Sequence, residues 1–197
     1  MKLYFYYGVM GSSKTANALM MKFNFEERGK RVLLLKPNID TRSNSDLVVS
    51  RIGLSAKAVP LDPQQSILSL PELRHIQVLI VDEVQFLTEA QIDELRTCAD
   101  HGIFVFCYGL RTDYMCHLFE GSKRLMEVAD SIREIKSTCH CGRKAIVTTR
   151  YQNGQIIYHG EQIDIGGNDK YTALCYHCWK VGNLGYLKAE KQDDKKK

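Results

Sequence analysis

The chain has 197 residues, 44% of them hydrophobic and 25% charged, which suits one full-sized domain with a small appendage. Lys and Arg outnumber Asp and Glu by 27 to 23. However, five lysines fall in residues 188–197, where no apolar periodicity accompanies them, and this stretch reads as a solvated, disordered tail. Without it the charge is near balance, so composition gives no case for a nucleic-acid partner, and no stretch approaches the ~18 apolar residues of a membrane span.

Lys2 to Tyr7 is an apolar, aromatic run closed by Gly8, which predicts a buried strand. The run is too short for a secretory core and leads straight into a motif, so a cytoplasmic location is expected. Thr15 to Arg28 carries apolar residues at helical spacing (Ala18, Leu19, Met20, Met21, Phe23) and stops at Gly29, which predicts a helix. Arg31 to Leu35 predicts a second strand, 37–46 a polar loop and Gln77 to Val81 a third strand. Thr88 with Gln91 three residues on forms a capping box for a helix to about Asp100, and Ile103 to Tyr108 is a strand ending at Gly109. Alternating strands and helices over 1–136 predict an α/β domain, a parallel sheet covered on both faces. After about residue 136 helical periodicity stops. Short β-like runs at 145–151 and 155–159 alternate with Gly and Asn turns, and 165–169 is a loop by composition. Residues 137–187 are expected to form a small metal-clipped subdomain. No internal repeat is present.

Seven cysteines, an odd number, fit a reducing compartment with a metal site better than a disulfide framework. Cys98, Cys107 and Cys116 are scattered, whereas Cys139, Cys141, Cys175 and Cys178 form two close pairs. Cys175 and Cys178 have zinc-knuckle spacing; Cys139 and Cys141 have one intervening residue, which leaves His140 or His177 open as a substitute ligand. The expectation is a structural four-cysteine zinc site with no open position for catalysis, the alternative being free thiols. His75, His101, His117 and His159 show no ligand or base spacing.

The strongest chemical signal is Gly8-Val9-Met10-Gly11-Ser12-Ser13-Lys14-Thr15, after a predicted strand and at the start of a predicted helix. Backbone N–H groups at a helix's positive end can ring a phosphate, a lysine can neutralise the β and γ oxygens of ATP, and a threonine hydroxyl can reach Mg²⁺. Ser13 stands where the usual pattern has glycine, and it adds strain if that position needs a positive φ. The apolar run Val78 to Val81 then ends in Asp82-Glu83, two carboxylates at the ligand-binding edge of a parallel sheet. Asp82 is expected on Mg²⁺, directly or through water, and Glu83 as the base near the γ-phosphate. An acidic helix start that merely complements a dipole is the plainer alternative. A motor ATPase, with water as the acceptor, is the rival activity, and a zinc-ribbon binding module leaves the phosphate loop unexplained.

Asp82-Glu83-Val84-Gln85-Phe86 resembles the Asp-Glu-x-Gln-Phe signature of the type II thymidine kinases. The resemblance extends to Lys36-Pro37-Asn38-Ile39-Asp40-Thr41-Arg42, to Tyr108-Gly109-Leu110-Arg111-Thr112-Asp113-Tyr114, and to Ile165-Gly166-Gly167-Asn168-Asp169-Lys170-Tyr171, in family order over roughly residues 3–180. It implies a P-loop kinase domain that moves the γ-phosphate of ATP to the 5′-hydroxyl of thymidine or deoxyuridine. Asp40 and Arg42 would help position Mg²⁺ and phosphates, with Gln85 among the nucleotide contacts. Met10 and Leu110 would line the base pocket and Tyr114 would stack on the base. A lasso including Ile165, Gly166, Gly167 and Tyr171 would close over it. The resemblance also suggests a homotetramer, with dTTP a candidate feedback inhibitor that the sequence alone does not establish.

Overall fold

Side-chain alternation along the strands sorts the core of the first unit into two layers. In the computed structural model, which describes residues 1–38, 46–162 and 170–185, this unit comprises Met1–Tyr7, Ser13–Arg111 and Phe119–Ile135. Its strands are β1 (Leu3–Tyr7), β2 (Val32–Pro37), β5 (Val59–Leu61), β6 (Val78–Val81), β7 (Phe104–Gly109) and β8 (Ser131–Glu134), paired in the order β5-β2-β6-β7-β1-β8. Every pairing is parallel. A separate antiparallel hairpin joins β3 (Leu47–Val49) to β4 (Ser55–Lys57).

Successive strand residues point to opposite faces. Leu3, Phe5, Leu33, Leu35, Leu79, Val81, Val105 and Cys107 pack in one cluster with Ile92, Leu95 and Ala99 of α2 (Glu89–Asp100) and Leu125 of α3 (Glu120–Val128). Leu34, Val78, Ile80, Phe106 and Tyr108 pack on the other with Ala18 and Leu19 of α1 (Lys14–Glu26). Both faces are therefore apolar, and the strands read as continuous hydrophobic runs, as parallel sheets require. Aromatic rings register β1 on β7: Tyr4 stacks on Phe106 and Tyr6 on Tyr108, each at 4.9 Å between centroids.

The α/β parallel-sheet fold expected from the sequence is present. Boundaries differ by one or two residues: α1 starts at Lys14 and ends at Glu26, and β2 extends to Pro37. The capping box is formed, with Thr88 Oγ1 accepting from Gln91 N and Gln91 Oε1 accepting from Thr88 N. α3 and β8 were not expected. α3 opens Glu120-Gly121-Ser122 behind a Phe cap, a weak start signal, and β8 is a four-residue edge strand of mixed character.

The second unit comprises Gly8–Ser12, Thr112–Leu118 and Lys136–Lys197. β9 (Ser137–Thr138) pairs with β10 (Lys144–Ala145), and β11 (Val147–Gln152) pairs with both β12 (Gln155–Ile156) and β13 (Tyr171–Leu174), all antiparallel. The expected run to residue 159 shortens to β12, with Tyr158 turning its hydroxyl to the Trp179 carbonyl. A five-residue helix, α4 (Tyr176–Lys180), is capped by the sulfur of Cys175 rather than by an oxygen, which is why the usual cap residues do not announce it. Asp40, Arg42, Ile165, Gly166, Gly167 and the tail 188–197 lie outside the described residues.

Candidate active site

β1 runs directly into Gly8 and the phosphate-loop sequence, and α1 begins at Lys14. The first half of the loop, Gly8–Ser12, is a turn closed by Ser12 N donating to the Val9 carbonyl (3.2 Å), with Gly11 at φ 80°. Ser13 adopts φ 63° and ψ 24°, a left-handed conformation, and its side chain makes no cap hydrogen bond. The strain anticipated for serine at a glycine position is thus present, costing about 1 kcal/mol relative to a residue without Cβ.

Behind the helix start, two opposite charges are buried near the exposed Glu83. Asp82, at the end of β6, is 3% exposed and accepts hydrogen bonds from the Thr15 hydroxyl and the Glu83 backbone N–H. Burial, reinforced by the Glu83 charge, pushes its carboxyl up to about 7. Lys14, 7% exposed, has its ammonium pKa lowered by burial, against the opposing pull of Glu83 and Asp82. Asp82 Oδ1 has no hydrogen-bond partner among the described residues, and neither does the buried Ser12 Oγ. An orphaned carboxylate oxygen beside a threonine hydroxyl suits a hard cation held by oxygen ligands, and the buried lysine suits an anion. Thr15 and Asp82, the pair expected on magnesium, therefore come together.

Glu83 occupies φ 51°, ψ 37°, again left-handed and without a glycine. The short 3₁₀ turn Val84–Phe86 follows at once, so the side chains of residues 83 and 85 meet: Gln85 Nε2 donates to Glu83 Oε2 at 2.6 Å. The other end of the Gln85 amide, Oε1, accepts from Leu110 N at 3.0 Å, just past β7. Leu110 in turn is held by its carbonyl, which accepts from the buried Ser122 hydroxyl at 2.5 Å. Sequence reasoning had no signal for Ser122. Strained, non-glycine backbone at the carboxyl edge of a parallel sheet is where functional residues concentrate.

In the second unit, Met10 N donates to the Thr148 hydroxyl of β11 (3.0 Å), and Val9 packs with Cys139, Cys175, Cys178 and Leu184. Tyr114 is buried, its hydroxyl donating to the Glu161 carbonyl and its ring 5.5 Å from the Arg150 guanidinium carbon. Asp113 anchors the same segment by accepting from Met115 N, His117 N and Gln162 Nε2. Tyr171 begins β13, paired with Arg150.

The sulfurs of Cys139, Cys141, Cys175 and Cys178 all lie within 4.8 Å of one another. Cys141 and Cys175 Sγ are 3.7 Å apart, against the ~3.8 Å edge of a tetrahedron with Zn–S bonds of about 2.3 Å. Cys178 N donates to Cys175 Sγ (3.4 Å); the Arg143 backbone N–H lowers the Cys141 thiol to about 6, while burial pushes the Cys178 thiol up. His140 does not join the four: its Nε2 lies 3.1 Å from the Asn183 carbonyl oxygen. The donor set therefore fits zinc, and the Cys-x-Cys pair sits in a turn closed by Gly142, at φ 82°, whose N–H donates to the Cys139 carbonyl (2.9 Å).

A buried phosphate-loop lysine, a threonine–aspartate pair and a carboxylate beyond it define a P-loop phosphotransferase. The thymidine kinase family profile matches residues 1–179, and the chain belongs to the thymidine kinase family. A thymidine kinase of Zymomonas mobilis is 46% identical over 180 residues, spanning 88% of this chain and 93% of that protein. Those of Rhodopirellula baltica and Legionella pneumophila are 43% and 42% identical, over 88% and 93% of this chain and 85% and 91% of theirs. Among solved structures, the Pif1 helicase of Candida albicans aligns at a TM-score of 0.43 and 14% identity, over 70% of this chain and 36% of that one, too weak a likeness to bear on fold or activity.

Proposed function

We propose that the chain moves the γ-phosphate of ATP to the 5′-hydroxyl of thymidine, and of deoxyuridine, for nucleotide salvage. The observation that carries this reading is the hydrogen-bonded pair of Thr15 and buried Asp82, with its unshared carboxylate oxygen, in a member of the thymidine kinase family. ATP lies along Gly8–Thr15, its β-phosphate ringed by backbone N–H groups, with Lys14 neutralising the β and γ oxygens. Thr15 and Asp82 hold the Mg²⁺ that accompanies ATP; when bound, it screens charge on the phosphate oxygens. Asp40 and Arg42 assist there, on the strength of the family pattern. Glu83 takes the proton of the 5′-hydroxyl as that oxygen attacks the γ-phosphorus in line; the bond to the bridging oxygen breaks and ADP leaves.

Tyr114 stacks on the base, with Met10, Leu110, Tyr171 and the backbone of Ile165, Gly166 and Gly167 completing its pocket. The four cysteines hold a structural zinc, with no position left for catalysis. A cytoplasmic homotetramer subject to feedback by dTTP completes the reading. No helix among the described residues is long and apolar enough to cross a membrane.

Substitution of Glu83 by Gln tests the proposal, because it keeps the shape and removes the basic carboxylate. ATP and thymidine should bind as before in calorimetry, while turnover falls by roughly 10²–10⁴-fold, the contribution of a positioned base. Brisk ATP hydrolysis without nucleoside, abolished by the same substitution, would make water the acceptor and the protein a motor. Unimpaired thymidine phosphorylation by Glu83→Gln would remove Glu83 from the chemistry.

A further inference from the structure

Gln85 is 2% exposed, and both ends of its amide meet protein: Nε2 reaches Glu83 Oε2 at 2.6 Å and Oε1 receives Leu110 N–H at 3.0 Å. The orientation of the amide is fixed by chemistry. A backbone N–H can only donate, so the oxygen must face Leu110, and the NH₂ is left facing a carboxylate that accepts. No other side chain of this length offers a donor and an acceptor on one planar head: Glu lacks the donor and Asn is one methylene short.

The surroundings allow the amide little movement. A Cβ on Gly109 would come within 2.5 Å of Gln85 Oε1 and 2.9 Å of Val84 Cγ1, so the strand end closes over the amide. Val84 beneath it is fully buried. The left-handed backbone of Glu83 and the 3₁₀ turn after it bring two side chains so near in sequence into contact. Leu110 is itself held by Ser122 Oγ from α3. A chain of hydrogen bonds thus runs from α3 through the end of β7 to one oxygen of Glu83.

Resting on Glu83 as the base, we propose that Gln85 is a positioning residue: it aims the Glu83 carboxylate from the β7 strand end and acts on the reaction through Glu83 rather than by gripping the nucleotide. A carboxylate on a strained turn with several rotatable bonds has many orientations, and proton abstraction needs one of them. The Gln85 amide selects that one by fixing Oε2 and leaving Oε1 for the hydroxyl.

The test is a double-mutant cycle on the full chain, measuring kcat for thymidine phosphorylation and the Kd of ATP. Gln85→Leu should lower kcat by about 10–100-fold, the cost of a misplaced group, with the Kd for ATP changed less than about twofold. In the Glu83→Gln background the same substitution should cost less than about twofold more, since there is no carboxylate left to aim. Gln85→Leu leaves Leu110 N–H unpaired; should it fail to fold, Gln85→Glu keeps that acceptor, removes the amide donor and sets a second carboxylate against Glu83, and it should show the same split between kcat and Kd. Equal losses of kcat in both backgrounds, or an ATP Kd that rises as kcat falls, would overturn the inference and return Gln85 to nucleotide binding or to simple packing. Failure of the base assignment looks different: Glu83→Gln alone would then leave turnover intact.

Discussion

Replacing Gly109 with Ala adds a single methyl group where the structure has little room for one. The new Cβ would lie 2.5 Å from Gln85 Oε1, 2.9 Å from Val84 Cγ1 and 3.2 Å from Gln85 N. Gly109 has no positive φ, so Ala meets no backbone penalty and the whole effect is steric. Neither neighbour can yield cheaply, because Val84 is wholly buried and Gln85 is pinned at both ends. Overpacking of this kind costs about 1–3 kcal/mol. Pushing the amide off Leu110 N–H adds about 1 kcal/mol for a buried hydrogen bond. A loss of roughly 2–4 kcal/mol is expected, which at a urea m-value of about 2 kcal/mol/M moves the unfolding midpoint down by about 1–2 M with m unchanged. The assay is equilibrium urea unfolding followed by circular dichroism, with kcat measured on the same preparation well below the midpoint. kcat should fall as well, since the displaced amide no longer aims Glu83. A midpoint within about 0.3 M of wild type, together with an unchanged kcat, would refute the reasoning, because the strand end would then be free to give way.

Three further outcomes follow from other parts of the molecule. Ser13→Gly should raise stability by about 0.5 kcal/mol, as relief of left-handed strain exceeds the entropy cost of glycine; a thermal melt showing a loss instead would mean that the serine hydroxyl makes a stabilising contact. Asp130 accepts from Leu3 N at 2.7 Å and from Arg96 Nη1 at 2.6 Å, and its carboxyl is held below the usual range by these donors. A depressed carboxyl pKa stabilises above the unfolded value and loses that contribution as pH falls through the folded one. Asp130→Asn should therefore cost about 1 kcal/mol at pH 7, the side chain being over a third exposed, with the gap to wild type closing below about pH 4; a gap that persists in acid would put the effect in packing. Elemental analysis should find close to one zinc per chain, and Cys178→Ser should destabilise the second unit severely, as metal-binding energy here is folding energy; a metal-free protein with an unchanged protease-digestion pattern would count against the site.

What the sequence made legible was what is local. Thr88 and Gln91 are three residues apart and cap one another within one turn, so their pairing could be read directly. The phosphate loop and the apolar run before Asp82 are likewise contiguous. α3 escaped because its glycine, Gly121, answers a tertiary demand: a Cβ there would meet the Leu87 carbonyl oxygen at 2.6 Å. In sequence the same residue looks like a helix breaker. Gln85 was legible only through the family signature, as a nucleotide contact. Its partner Leu110 is 25 residues away, and its link to Glu83 depends on a left-handed turn that no glycine advertises. The strain at Ser13 was visible as a departure from pattern, and the backbone shows it realised.

Val9 packs among the cysteines and Met10 hangs from Thr148, so the residues that begin the phosphate loop share a core with chain that follows more than a hundred positions later. The molecule is therefore not modular in the way its linear order suggests. A fragment ending near residue 136 would retain every strand of the parallel sheet, yet leave Val9 without its apolar neighbours and the Met10 amide without its acceptor. Exchange of the cysteine-bearing segment between relatives faces the same constraint: a working graft must carry residues 8–12 and 112–118 along with the carboxyl-terminal third, three pieces of sequence inherited as one.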